Sequence, residues 1–375
     1  MRKIVAIGLA SLVLLQKPLQ AEEFRSIARV GLDSNPLELS DGLSPTEEEF
    51  GIAGFYSKSS AFDWLHWDVN VEKSFYFNDS RVDHFQSFVE LKAADDFTIY
   101  EVPFAYELGG FTGHNDETYV SRETGRVAIF DGNSIADRFD TKEDGYLAGF
   151  HYLIREDTDL YIRYRSTDRV FEEFALVNLD NLDATETTST FGVDFNPSDL
   201  GDFYFRFDAH ERVYDDRRDR DLDGVLVPGT DLILNRYETH LGYVYKPNER
   251  DRWEYRFTYE NRTSNGTHFY ESQRGTLSIR GEKWIFDYHL LALQLDYTSF
   301  FYDESYDQSF LFYEKDDIDQ TKISLGLEYT WVLATMFDTN LAFYANVYAS
   351  VSDSPNAFFV HQRNQVSAGI RWAMD

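Results

Sequence analysis

The stretch DDRRDRDLDGVLVPGTD has the most specific chemical spacing in the chain. Asp219, Asp221 and Asp223 alternate and Gly224 follows. That matches positions 1, 3, 5 and 6 of a calcium loop, where alternating oxygens converge ahead of a sharp turn. The match then weakens. Position 12 should be a bidentate Glu but is Thr230, with Asp231 one place late, and Arg217, Arg218 and Arg220 are interleaved to neutralise the aspartates. The expectation is an ordinary solvated acidic loop, with Ca2+ on Asp219, Asp221, Asp223 and Asp231 as the competing reading and no other cofactor.

A second set of chemically capable residues is larger and less local. Asp68, Glu72, Glu90, Arg163, Arg165, Arg206, Asp208, Glu238, Glu254, Arg256, Glu260, Asp296, Lys322, Glu328 and Arg371 all stand in segments whose alternate positions are apolar or aromatic. Successive side chains of a strand point to opposite faces, so these charges share one face and the apolar residues share the other. Hydrolytic chemistry has little beside this. The nine histidines are dispersed: His66, His210 and His240 fall in the charged row, His114 lies in a connection, and no G-x-S-x-G stretch accompanies them. The chain also lacks zinc-type spacing and a phosphate-binding glycine loop.

The elements that must carry these charges alternate with a period of two. In WEYRFTYE, Trp253, Tyr255, Phe257 and Tyr259 alternate with Glu254, Arg256, Thr258 and Glu260. ISLGLEYTW and LAFYANVYASV repeat the pattern, as does QVSAGIRWAMD at the end of the chain. Sixteen such segments are read as strands: 26–33, 50–58, 64–76, 82–92, 97–108, 143–154, 158–167, 187–195, 201–211, 235–246, 251–261, 270–280, 284–300, 319–332, 338–350 and 365–373. Helical periodicity is missing.

Composition narrows the class. Arg2 and Lys3, the apolar run IVAIGLASLVLL and Ala21 read as an export signal over 1–21, leaving 22–375 as one domain. Losing Arg2, Lys3 and Lys17 takes the formal charge from −31 to −34, which repels nucleic acid. There is no cysteine, so disulfides do not hold the exported chain together. Aromatic residues make up 17% of a chain with mean hydropathy −0.45. A disordered acidic chain lacks aromatics, and a membrane helix needs about 20 consecutive apolar residues. Half-apolar strands with wet connections satisfy both numbers.

The connections alternate in length. SKSSAFD, AADD, REDT, NPSDLG, KPNER, RGEK and LATMFD are turn-like, and between them lie long joins after Leu32, Leu108, Val213 and Phe300 and before the last strand. Trp64, Trp67, Trp253, Trp284, Trp331 and Trp372 all lie toward the short-turn ends, as an interfacial aromatic belt requires. The expected fold is all-β: a transmembrane antiparallel barrel of about 16 strands (14 to 18) with short periplasmic turns and long external loops. The last segment resembles the C-terminal strand of Gram-negative outer-membrane proteins, except that the aromatic Trp372 is followed by Ala-Met-Asp.

That resemblance implies a place in the outer membrane, with lipid, lipopolysaccharide and the barrel-assembly machinery as partners. A homo-oligomer is compatible with it, and nucleic acid is not. The architecture is also similar to general porins, in which an acidic loop folds inward opposite arginines of the wall. By that likeness Asp116, Glu117, Asp131 and Asp137, in the long join after Leu108, would face Arg163, Arg165 and Arg206. A surface loop with its own hairpin in TYVSRETGRVAIF is the competing reading. The expected function is passive diffusion of small hydrophilic solutes, with nine carboxylates against six basic groups in the charged row favouring cations. Two alternatives stand beside it. RVGLDSNPLELSDG resembles opening strands of barrels that serve exopolysaccharide export, and some outer-membrane hydrolases are barrels with rim sites.

Overall fold

The computed structural model describes residues 21–374 except 37, 39–46, 63, 78–82, 101, 118–119, 122–125, 128, 131–132, 135–136, 156, 172–181, 199–200, 220–224, 249, 267–269, 303–318 and 337–338. The export segment, but for Ala21, lies outside the described residues. The strands are β1 (Ala21–Asp33), β2 (Glu48–Phe62), β3 (Leu65–Tyr76), β4 (His84–Ile99) and β5 (Val102–Glu117). Two small ladders follow, β6 (Val120–Ser121) with β7 (Arg126–Val127) and β8 (Ile129–Phe130) with β9 (Asn133–Ser134). Then come β10 (Thr141–Arg155), β11 (Thr158–Phe171), β12 (Ala184–Ser198), β13 (Gly201–Tyr214) and β14 (Ile233–Tyr245). The chain continues with β15 (Arg252–Ser264), β16 (Ser272–Phe286), β17 (His289–Tyr302), β18 (Gln320–Met336), β19 (Thr339–Asp353) and β20 (His361–Met374).

Sixteen of these strands, all but β6 to β9, pair antiparallel in sequence order and close into a barrel where β1 meets β20. Each of the sixteen segments read from the sequence falls mainly on one barrel strand, although 97–108 and 284–300 begin in the strand before it. The seven turns at one end span only two residues each, apart from the join of β14 to β15, while every join at the other end is longer. Hairpins explain the short ones: a two-residue turn fixes register between neighbours. The β4–β5 turn contains Tyr100, exposed and with φ of 50°, a left-handed conformation tolerated at a tight turn.

Two solvents explain the sides. Val30, Leu108, Ile162, Leu277, Leu325 and Ile370 are among many large apolar side chains that are exposed on the outer face. In water so large a patch would drive aggregation, whereas a bilayer requires an outward apolar band and a closed sheet with no edge.

Several boundaries differ from those read in the sequence. The segment 284–300 is a hairpin whose turn is Asp287–Tyr288, and RGEK lies inside β16. AADD lies inside β4, and the strand before the long join runs nine residues past Leu108, to Glu117. The cause is the same in each case. Strands project beyond the hydrocarbon, where polar residues stand on both faces and the two-residue period fades.

Aromatic rings in the inner rows lie over glycines. A Cβ built on Gly242 would fall 2.0 Å from the Tyr204 ring, and one on Gly192 2.1 Å from that of Tyr161. Tyr204 cannot simply swing away, because Arg256 donates to its hydroxyl (2.8 Å) and that hydroxyl donates to Glu254 (3.3 Å). Gly242→Val is therefore expected to destabilise the barrel by about 1–3 kcal/mol through overpacking. The heat-modifiable shift in gel mobility measures it, and adding Tyr204→Ala should recover much of the loss.

Candidate functional site

The inner wall is the candidate site, and register decides what it contains. Residues paired across strands share a face, so one inward side chain fixes the row. Asp208 pairs with Thr190 and Glu238, Glu238 with Glu260, and Glu260 with Arg274. By the same rule Asp68, Glu72, Glu90, Arg163, Arg165, Arg206, Glu254, Arg256, Asp296, Lys322, Glu328 and Arg371 fall in the inner rows.

These charges are knitted into clusters. Glu107, 6% exposed, lies 3.0 Å from Lys92 and 3.8 Å from His151 and pairs with Arg163; His151 Nδ1 meets Asp159 at 2.8 Å. Four strands, β4, β5, β10 and β11, thus share one charge chain. Further round, Glu186 takes Arg212 at 2.6 Å and Arg236 at 3.9 Å, and Arg236 Nε lies 3.0 Å from Glu238. Arg206 Nε is 2.8 Å from Asp208. Arg256 donates to Glu254 at 2.5 Å, and Arg371 to Glu328 at 3.2 Å. Arg165 instead stacks on Phe111, its guanidinium carbon 3.6 Å from the ring centroid, a cation–π contact.

The remaining sequence candidates divide. Asp116 and Glu117 belong to β5 rather than to a loop, and Asp116 pairs with Phe85 in the outward row. It therefore points away from Arg163, Arg165 and Arg206. Asp131 lies outside the described residues, and Asp137 is exposed in a turn. The β6–β7 ladder falls within TYVSRETGRVAIF. Further along the chain, Phe139 lines a cavity of about 470 Å³ with Asn70, Gln86, Glu143 and Arg169. Of the calcium candidates, Asp219 is buried and Asp231 exposed, while Asp221 and Asp223 lie outside the described residues.

The tryptophans divide too. Trp67, Trp253 and Trp331 occupy outward rows, and Trp64 is exposed in the β2–β3 turn. Trp372 shares the outward row but is 9% exposed; it packs edge-on to Phe24 at 4.8 Å and donates from Nε1 to Thr339 at 2.8 Å. Trp284 pairs with Leu290 two places on from Glu282, in the inner row. The expected place in the lipid belt is not borne out, because RGEK before Trp284 is strand and the turn follows it at Asp287–Tyr288.

Sequence reasoning missed a knot at the long-loop end. Asp33, fully buried, takes Arg363 at 2.6 Å and Gln365 at 3.1 Å. Just past β1, Glu38 reaches Lys322 at 3.0 Å, Arg363 at 3.5 Å and His361 at 3.6 Å. Ser34 N donates to Asn364 O, and Asn364 N to Ser34 Oγ. The segment after β1 is thereby tied to β18 and β20 across the closing seam. SNP after Asp33 signalled a turn, but its partners lie some 330 residues away.

No family model matches the chain, and no curated protein does. Among solved structures it is similar to an anion-selective porin from Comamonas acidovorans, with TM-score 0.47, 11% identity, 94% of this chain and 98% of that one covered. The outer membrane channel DcaP of Acinetobacter baumannii gives TM-score 0.48 and 9% identity, covering 94% and 97%. A bacterial polysaccharide outer membrane secretin gives 0.44 and 8%, covering 93% and 97%. Identities this low leave solute and selectivity to be argued from the wall itself. Closure, the outward apolar band and two-ended connection lengths define the protein as an outer-membrane β-barrel of the Gram-negative type.

The seam knot yields two expectations. Arg363→Ala leaves Asp33 buried without its cation, a change that costs about 3–5 kcal/mol and should lower the denaturant midpoint accordingly. Burial pushes the Glu38 carboxyl up, but Lys322, by charge and hydrogen bond, with His361 and Arg363, takes it below its ordinary value. A lowered carboxyl contributes stability above its unfolded pKa and loses it as pH falls through the folded one. Proteolysis of the 34–47 segment should therefore accelerate in acid below the ordinary glutamate range, and Glu38→Gln should remove that acid dependence.

Proposed function

We propose that the protein is a channel passing small hydrophilic solutes by passive diffusion through a charged, water-filled lumen. The observation that carries this reading is the inner wall: a closed ring of sixteen strands whose inward rows are charged and polar. A barrel of that size is too wide for its own side chains to fill, and charges in so many inward rows need water nearby.

Selectivity follows from the charges left over after pairing. Among the described residues, Asp68, Glu72, Glu90, Asp194 and Asp296 sit in inner rows without an ion pair. Asp68 accepts from Tyr56 at 3.3 Å, and Asp296 from Gln294 at 2.8 Å. Their basic counterparts are fewer: Arg25, Arg29 over Phe50, and Arg165 over Phe111. The excess of carboxylates favours cations.

Liposome swelling with sugars of increasing size tests the channel directly. Permeation with a size cutoff is expected; a protein that folds and stays impermeable contradicts the proposal and favours an export conduit. In planar bilayers under a KCl gradient the reversal potential should indicate cation preference, reduced in Asp68→Asn/Asp296→Asn. Anion preference in the parent protein would overturn the charge argument.

A further inference from the structure

One cluster on the wall contains more acceptors than a charge network requires. His240 Nε2 lies 3.2 Å from Asp208 Oδ2 and 3.1 Å from Glu238 Oε2, and the three ligand atoms all fall within 4.8 Å of one another. Two neighbouring strands produce this without strain: Asp208 on β13 stands directly opposite Glu238 on β14, and His240 follows two residues on, on the same face. The three side chains are 7%, 13% and 12% exposed.

The other atom of each group is already engaged. Thr190 donates to Asp208 Oδ1 at 2.6 Å, Arg236 Nε lies 3.0 Å from Glu238 Oε1, and His240 Nδ1 lies 3.2 Å from Thr258 Oγ1. Arg206 Nη2, which can only donate, is 3.1 Å from His240 Nε2. Nε2 donates to the two carboxylates when it holds the ring proton; with that proton on Nδ1 toward Thr258, Nε2 presents its lone pair. Two carboxylate oxygens and an imidazole lone pair then converge on one point, and the cation covering them is the half-exposed Arg206.

Ligands about 2.0–2.2 Å from a tetrahedral zinc stand about 3.4 Å apart. The two histidine–carboxylate distances, 3.2 and 3.1 Å, need to open by only a few tenths of an ångström. Fixing the far atom of each ligand is also what metal sites do, with the histidine's second nitrogen donating to an oxygen.

We propose that Asp208, Glu238 and His240 form a binding site on the inner wall for a divalent transition-metal cation of the zinc type, which displaces Arg206. The site completes its shell with water from the lumen. One imidazole and two carboxylates suit zinc better than magnesium or calcium, which prefer all-oxygen shells.

The test is calorimetric titration of the refolded full-length barrel in detergent with zinc, and separately with magnesium and calcium. It reads binding alone, so its outcome stands whether or not the barrel conducts. Saturable one-site zinc binding is expected, with magnesium and calcium at least about tenfold weaker. His240→Ala should abolish it, and Thr258→Val, which keeps all three ligands, should weaken it about 10- to 100-fold. Arg206→Gln should strengthen it, because it removes the competing cation. If His240→Ala fails to show the folded gel mobility, Glu238→Gln takes its place. The site is refuted by no saturable zinc binding in the parent protein, by unchanged affinity in the ligand variants, or by equal affinity for calcium. Weaker binding in Arg206→Gln would instead mean that the cluster is an ion-paired knot around a protonated imidazole.

Discussion

Everything in this molecule depends on the pairing of β1 with β20. In that register Arg25 to Asp33 lie against Ala373 to Gln365, and the sheet has no edge. Backbone N–H and C=O groups left open within hydrocarbon cost several kcal/mol each, so an unclosed sheet of these sequences could not sit in a bilayer. Closure also creates an inside. Only then does a period of two along each strand become two different solvents, with leucine and aromatic rows outside and charged rows within.

The seam is reinforced where it is most vulnerable. β1 is followed by a long join, and its own hairpin partner β2 begins only at Glu48. Asp33–Arg363 and the two hydrogen bonds between Ser34 and Asn364 pin the chain just where the ladder ends. At the other end of the same strands Phe24, Phe55, Trp372 and Leu341 pack together. Loop-closure entropy grows only slowly with length, so a pair 330 residues apart is not much harder to form than one at half that separation. Once formed, it holds the first and last strands in register.

The strands were legible because half-buried strands alternate, and residues such as Tyr255, Phe257 and Tyr259 mark their rows without any knowledge of the partner. Strand ends were not. At Asp95–Asp96 and Glu282–Lys283 both faces are polar, and a period read from hydrophobicity has nothing to follow. The row of charges was legible for the same reason as the strands, but its pairing was not. Whether Glu107 meets Lys92, His151 or Arg163 depends on the stagger of four strands, which no single segment encodes. The convergence of Asp208 with His240 needs the β13–β14 register, and a sequence containing histidines at scattered positions gives no hint of it.

The wall's recurring motif is a base and an acid two residues apart: Arg206–Asp208, Arg236–Glu238, Arg252–Glu254–Arg256 and Arg280–Glu282. Positions i and i+2 share a face, so each strand neutralises much of its own charge before it meets its neighbours. Such pairs keep the wall wet and hold the long arginine side chains along it. Their opposed charges nearly cancel at the distance of a passing ion, beyond one screening length of about 8 Å. The residual field comes from groups such as Asp68 and Asp296, whose partners are a phenol, an amide and a hydroxyl. Stability and selectivity thus rest on different side chains of the same rows. A formal charge of −31 says little about either until the register has divided the paired charges from the rest.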